Sequence, residues 1–396
     1  MSRFHSIKNE EIMQDASYHL AVFGTAPEGF IAALTVELKA RLSILSLELG
    51  KEVAWYVGPP GEYEAHGGQC TAALCFPLEN EQVQSIVTMM KSGIPVIPVA
   101  SSLAKLGDEF AAPISTLNGL GLSTCDIPEI ANCLLECASL LPRQRRVFLS
   151  YRRSESTPVA LQLYAALSER LFDVFLDTHE ILPGQHFQEV LWQKLCDSDV
   201  MVYLDTESYF HSRWTTSEFG RATWRAIPIQ RVGWPGVALD PRSLVSDDLR
   251  LAAEDFQADG LSLTPGCLDR ICRSVESLRA EGVATRYYQL MDAFRASLQR
   301  SRATIEGYSM RRTITVKTRL DEYISVYPTL GVPTTYTLHE ATLDNHTPPV
   351  AVVYDDVGIE EKRWVTHMEW IGGFLNDKVR LIKPYGSGWH FEDWRQ

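Results

Sequence analysis

A chain of 396 residues with 45% hydrophobic content is long enough for two or three domains, each with its own core. Its formal net charge of −13 speaks against nucleic acid as the main partner, because phosphate binding needs a concentration of Lys and Arg. The longest apolar-looking stretch, Ile31 to Leu49, is broken by Glu37, Lys39, Arg41 and Glu48, so no membrane span is expected.

Eight cysteines lie scattered without a CxxC pair or a matching His cluster, so neither a zinc site nor a redox dithiol is expected. Cys133 and Cys137, one helical turn apart beside Leu134 and Leu135, read as small buried apolar groups. Reduced thiols and the lack of a secretory leader point to a cytoplasmic protein. His339-Glu340 and His367 match no HExxH spacing and read as ordinary polar positions.

In chain order, residues 1 to 16 are a polar lead-in. A strand at His19 to Phe23 is followed by a helix from Ala32 to Leu49 and a strand at Val53 to Val57. A third apolar run, Ala72 to Phe76, precedes a helix from Asn80 to Lys91, and Ile94 to Ile97 supplies a fourth strand. Residues 17–141 therefore read as one α/β unit, closed by a polar hinge at Leu141-Pro142-Arg143-Gln144-Arg145. Gly24 to Gly29 follows its first strand but lacks the GxGxxG spacing, so a structural, sensing or assembly role is expected of this unit.

The next unit repeats the alternation more sharply. Val147-Phe148-Leu149, Val174-Phe175-Leu176 and Val200 to Leu204 are continuous apolar runs suited to strands buried on both faces. Thr157-Pro158 reads as an N-cap and first helical position ahead of Leu161, Tyr164, Ala165 and Leu171, and Pro183-Gly184 opens a second helix carrying Phe187, Val190, Leu191 and Leu195. Open parallel sheets bind ligands outside the carboxyl ends of their strands, which directs attention to Ser150 to Ser156, Asp177 to Gly184 and Asp205 to Glu218.

SYRR after the first strand, VFLD before a Pro-Gly loop, Phe187, and Ser212-x-Trp214-x-x-x-Glu218 at a helix start occur in that order, and together they resemble a TIR domain over roughly residues 144–285. The resemblance implies a flavodoxin-like α/β fold with a parallel sheet. The unit before it then reads as a degenerate TIR-like or Rossmann-like copy.

Trp214 and Glu218, four residues apart, share one helix face, where an indole is expected to shield the carboxylate and strengthen its hold on developing positive charge. In nicotinamide cleavage from NAD the ribose carbon gains oxocarbenium character while a neutral base departs, so one placed carboxylate is a sufficient chemical minimum. The resemblance implies that Glu218 is that catalytic residue, with NAD as substrate rather than cofactor. It also places Tyr151, Arg152, Arg153, Phe187, Ser212 and Trp214 around the substrate. The bland alternatives are core packing for Trp214 and Phe187, surface charge for Arg152 and Arg153, and a helix N-cap for Ser212.

A fourth strand is expected at Ile227 to Val232, then a Gly/Pro-rich loop and the acidic stretch Asp247 to Asp259 before a helix around Leu268 to Ala280. Arg286 to Ile305 reads as a helical connector, assigned to 286–308. Apolar runs at Ile324 to Tyr327, Val350 to Tyr354 and Val379 to Ile382, with a helix through Trp364, Met368, Ile371 and Phe374, make 310–396 a small C-terminal α/β domain. In its aromatic tail Trp389 and Trp394 are expected to close this core.

The resemblance implies an NAD glycohydrolase acting as an antiphage immune effector, switched on by self-association of TIR domains or by an activating ligand or sensor protein. A cyclase making a cyclic ADP-ribose signal shares the same first bond cleavage, and a non-catalytic scaffold is the alternative outside enzymology.

Overall fold

The computed structural model describes residues 16, 18–45, 47–63, 70–141, 144–176, 187–308, 313–343, 348–356, 359, 362–392 and 394. The lead-in 1–15, Pro142 and Arg143 of the hinge, and the Asp177 to Gly184 loop with its Pro183-Gly184 lie outside the described residues.

Three five-stranded sheets follow one another along the chain. The first holds β1 (Tyr18–Phe23), β2 (Val53–Val57), β3 (Cys70–Cys75), β4 (Val96–Ala100) and β5 (Leu120–Gly121), in the order β2-β1-β3-β4-β5 with every pair parallel. The second holds β6 (Arg146–Ser150), β7 (Asp173–Leu176), β8 (Val200–Asp205), β9 (Ile229–Gly233) and β10 (Asp247–Arg250), ordered β7-β6-β8-β9-β10 and again all parallel. The two share the 2-1-3-4-5 order of a doubly wound fold, so the first unit repeats the topology of the second. Strand β8 is wholly buried and β1 is buried from His19 to Phe23, which is why continuous apolar runs marked them.

The third sheet is mixed. β11 (Thr304–Tyr308), β12 (Ile314–Lys317) and β13 (Tyr323–Thr329) pair antiparallel, whereas β13, β14 (Val350–Tyr354) and β15 (Val379–Ile382) pair parallel. The helix Lys362–Leu375 crosses from β14 to β15. Trp394 is buried in this core, as the tail suggested, but Trp389 is 78% exposed on the last helix, Ser387–Glu392.

Several elements differ from their sequence expectations for identifiable reasons. The helix placed at Ala32 to Leu49 is Phe30–Ile44, turning at Leu45. The helix expected from Thr157-Pro158 begins one turn earlier, at Arg153, and kinks at Ser156, where φ is −137°. Pro158 then sits just past the kink, where its missing N–H costs nothing. Within the acidic stretch, Asp247–Arg250 is the edge strand β10, whose outward-facing charges hid it from a search for apolar runs.

The largest correction concerns the helical connector 286–308. Pro265–Arg300 is one helix of 36 residues, capped by the Thr264 side chain, and Ile305 lies in β11. Gly282 does not break it: a Cβ there would stand 2.1 Å from Pro228, so the missing side chain lets the helix pass the chain entering β9. Cys267, Ile271, Cys272 and Val275 of this helix enter the middle core, Ala280 and Ala284 the first, and Leu290, Phe294 and Leu298 the third.

Charge also joins the units. Arg279, fully buried on the long helix, donates to Glu136 at 2.8 Å and to the Gln144 carbonyl at 3.0 Å, and stands 3.8 Å from Asp199. The third sheet docks on the middle one through Val332 N–H, which donates to Asp197 at 2.8 Å, and through the Arg225–Asp355 pair at 2.7 Å. No helix among the described residues is long and apolar enough to cross a membrane.

Candidate active site

At the carboxyl end of the middle sheet the chain leaves β6 through Ser150, Tyr151 and Arg152 and leaves β8 through Asp205 and Thr206. The second exit runs through the short turn Tyr209–His211 into the helix Arg213–Trp224, whose N-cap is Ser212, its Oγ accepting from Trp214 N–H at 3.3 Å. Glu218 therefore falls one turn into that helix and faces back toward the end of β6. Its side chain is buried, leaving only 6% of the residue exposed.

Ser150 Oγ donates to Glu218 Oε2 at 2.5 Å. The Tyr209 hydroxyl lies 2.8 Å from the same Ser150 Oγ, and with the serine proton engaged by the carboxylate it is the tyrosine that donates. Burial, then the negative charge of Glu218, pushes the Tyr209 hydroxyl well above its ordinary range, so it keeps its proton. The result is a directed chain from Tyr209 through Ser150 to Glu218 that holds the carboxylate in one orientation. Tyr209 is fixed in turn by Tyr203 and Phe210, each with its ring centroid 4.9 Å away.

Arg152 ties the two exits together. Its Nη1 donates to the Ser208 carbonyl at 2.5 Å and its Nε lies 3.2 Å from Glu155, while Glu155 accepts from Ser208 N–H at 3.3 Å. Behind them Arg231, almost wholly buried, bridges Asp205 and Asp248 at 2.6 Å each and fixes the carboxyl end of β8.

The structure thus brings Glu218, Ser212 and Arg152 to the ends of β6 and β8 as the spacing predicts. Tyr151 is buried beside them, and its hydroxyl has no hydrogen-bond partner among the described residues. Arg153 is exposed in the first turn of its helix. The side chain of Phe187 lies outside the described residues.

Trp214 requires a correction. With 47% of its surface exposed it is not core packing, and the aromatic residue that joins the carboxylate's hydrogen-bond network is Tyr209. Ser150 and Tyr209 fall within the two strand-end segments that the sequence singles out, but neither was given a role there.

The first sheet treats the same place differently. Thr25 N–H, beyond β1, lies 3.4 Å from the Pro77 carbonyl beyond β3, and a Cβ on Gly24 would stand 2.5 Å from the Phe76 carbonyl. At this point the chains leaving β1 and β3 approach each other through backbone, where the second sheet has the Ser150 side chain.

A family model described as the TIR domain matches residues 147–260. Among solved structures the chain is similar to the TIR domains of the activated Roq1 resistosome directly recognizing the pathogen effector XopQ. That match has 17% identity, covers 37% of this chain and 84% of that one, and has a TM-score of 0.23. No curated protein matches. Residues 147–260 of this chain, the part holding Ser150, Arg152, Tyr209 and Glu218, are a TIR domain.

Proposed function

We propose that the TIR domain hydrolyses NAD, breaking the bond between nicotinamide and the ribose C1′. The observation that carries this reading is the buried Glu218 carboxylate, held by Ser150 at the mouth of the parallel sheet. As the C1′–N bond lengthens, its electron pair leaves with nicotinamide as a neutral base and the ribose becomes cationic, so no acid is needed for departure. Glu218 steadies that cation, water adds to C1′, and a proton is released with ADP-ribose. Tyr151, Trp214, Arg153 and Phe187 line the substrate in this reading, and Ser212 holds the start of the Glu218 helix. Arg152 acts by locking the two loops.

The family resemblance extends the proposal to a cytoplasmic immune effector, antiphage in a bacterium, whose cleavage is released by self-association or by a sensed ligand. The flanking sheets are assigned to sensing and assembly, the first because the Gly24 to Gly29 turn after its first strand carries no counterpart of the arginines that follow Ser150. Purified full-length protein incubated with NAD, free and after forced clustering, is expected to yield nicotinamide and ADP-ribose by mass spectrometry. Cyclic ADP-ribose among the products would make it a cyclase. An intact NAD pool under every clustering condition would leave the scaffold reading in its place.

Ser150→Ala removes the donor that orients Glu218. A hydrogen bond to a charged group is worth about 1.5–3 kcal/mol, so kcat is expected to fall roughly tenfold or more with KM little changed. Ser150→Thr, which keeps the hydroxyl, should restore much of the loss, and steady-state kinetics of the two variants checks both statements.

A further inference from the structure

On the third sheet the helix Lys362–Leu375 turns one face to the core through Met368 and Ile371 and leaves another face bare. The bare face carries Trp370, 62% exposed, and Phe374, 71% exposed, with ring centroids 5.1 Å apart in an edge-to-face arrangement. His367, exposed one turn earlier, stacks on Trp370 at 6.1 Å. Beside these rings Lys362, Thr366, His367 and Trp370 line a shallow groove of about 500 Å³. Large aromatic side chains left next to one another in water mark a contact surface. Gly373, also exposed, adjoins Phe374, and a Cβ added there would meet nothing within 4 Å. The chain's own packing therefore does not call for this glycine, although glycine weakens a helix interior. On its other side Gly373 borders the cavity that Glu369 and Asn376 help to line.

We propose that this face is a contact between two copies of the chain, with the helix Lys362–Leu375 of one packed antiparallel on the same helix of the other about a two-fold axis beside Trp370. The face is self-complementary in that register. Residues equally far before and after Trp370 stand opposite one another, so Phe374 of one copy meets Thr366 of the other and seats its ring in the groove formed by Thr366, His367 and Trp370. Gly373 also meets Thr366 across the axis, and two small residues there let the backbones come close. Charge selects the same direction. Lys362 stands at the amino end of the face, Asp377 and Lys378 lie just past its carboxyl end, and Glu369 sits on the flank toward the cavity. Antiparallel packing brings each Lys362 to Asp377 and to the negative end of the other helix dipole, whereas parallel packing would set Lys362 against Lys362. Lys378 offsets part of that attraction, so the ring in the groove rather than charge carries the contact. Two helices touching over a few turns make a small interface beside the roughly 1,200–2,000 Å² of a standard one, so the copies join only when concentrated.

The test is sedimentation velocity of the full-length protein without NAD, at concentrations from about 1 to 100 μM. Its outcome is therefore independent of whether NAD is cleaved. A dimer that grows with concentration is expected. Phe374→Glu should weaken it roughly tenfold or more and leave the melting temperature that of the parent, because the ring is exposed in the single chain. A second measurement reads the register. Under mild oxidation Thr366→Cys combined with Gly373→Cys should cross-link two copies, and neither change alone should, because each residue stands about 9–12 Å along the helix from its own mate, too far for a disulfide. A parent that stays monomeric throughout the range would overturn the proposal, as would a double-cysteine variant no more cross-linked than the single ones. So would a Phe374→Glu variant that associates as the parent does, since the copies would then meet elsewhere, the TIR domain included.

Discussion

Glu218→Gln is expected to lower kcat for NAD cleavage by roughly a hundred- to a thousandfold, the usual cost of removing one preorganised electrostatic contact with a transition state. The substitution is nearly isosteric, and the amide oxygen still accepts from Ser150, so the helix and its cap should stand unchanged. What disappears is the full negative charge facing the ribosyl cation, which the buried setting makes strong. KM should change far less than kcat, because the neutral ground-state ribose gains little from the carboxylate. Steady-state cleavage, with circular dichroism to show an unchanged fold, decides the matter. A variant as fast as the parent removes Glu218 from the chemistry.

Arg279→Leu carries the largest expected cost in stability. The guanidinium is wholly buried among Glu136, Glu276 and Asp199, and its loss takes a buried partner from all three acids, with Arg145 still pairing with Glu136 and Glu276. Breaking such a network typically costs about 3–5 kcal/mol. For a chain of 396 residues the melting temperature should fall by roughly 4–6 °C. The pH dependence gives a second check. Burial already pushes the Glu136 carboxyl up, against the lowering pull of Arg279 and Arg145, and removing Arg279 lets it rise further. An acid with a raised folded pKa binds its proton more tightly folded than unfolded. Its contribution is therefore full below the ordinary carboxylate value, about 4.3, and is lost as pH rises through the folded value. The defect should be severe at neutral pH and shrink toward about pH 5. Urea unfolding at both pH values measures this, and a defect independent of pH would mean that lost packing, not stranded charge, is responsible.

Legibility in the sequence followed how local each signal is. The inner strands of both doubly wound sheets were visible because burial on two faces forces unbroken apolar runs such as Val200 to Leu204. Glu218 and Ser212 were visible because an N-cap and a four-residue spacing belong to one helix. Ser150 and Tyr209 were not, because their bond to each other and to Glu218 joins segments far apart in the chain, and no period marks such a contact. β10 carries charge outward as an edge strand. The long helix Pro265–Arg300 was divided in two because it serves three cores on different sides, which leaves no single apolar stripe to follow.

That helix is also the chain's axle. Thirty-six residues make a rod about 54 Å long, and each sheet is bolted to a different stretch of it. The sheets cannot swing past one another like beads on a string, since any pivot would bend a continuous helix or tear a core from its side. Any rearrangement that leaves the helix whole must carry the three-sheet body along as one piece.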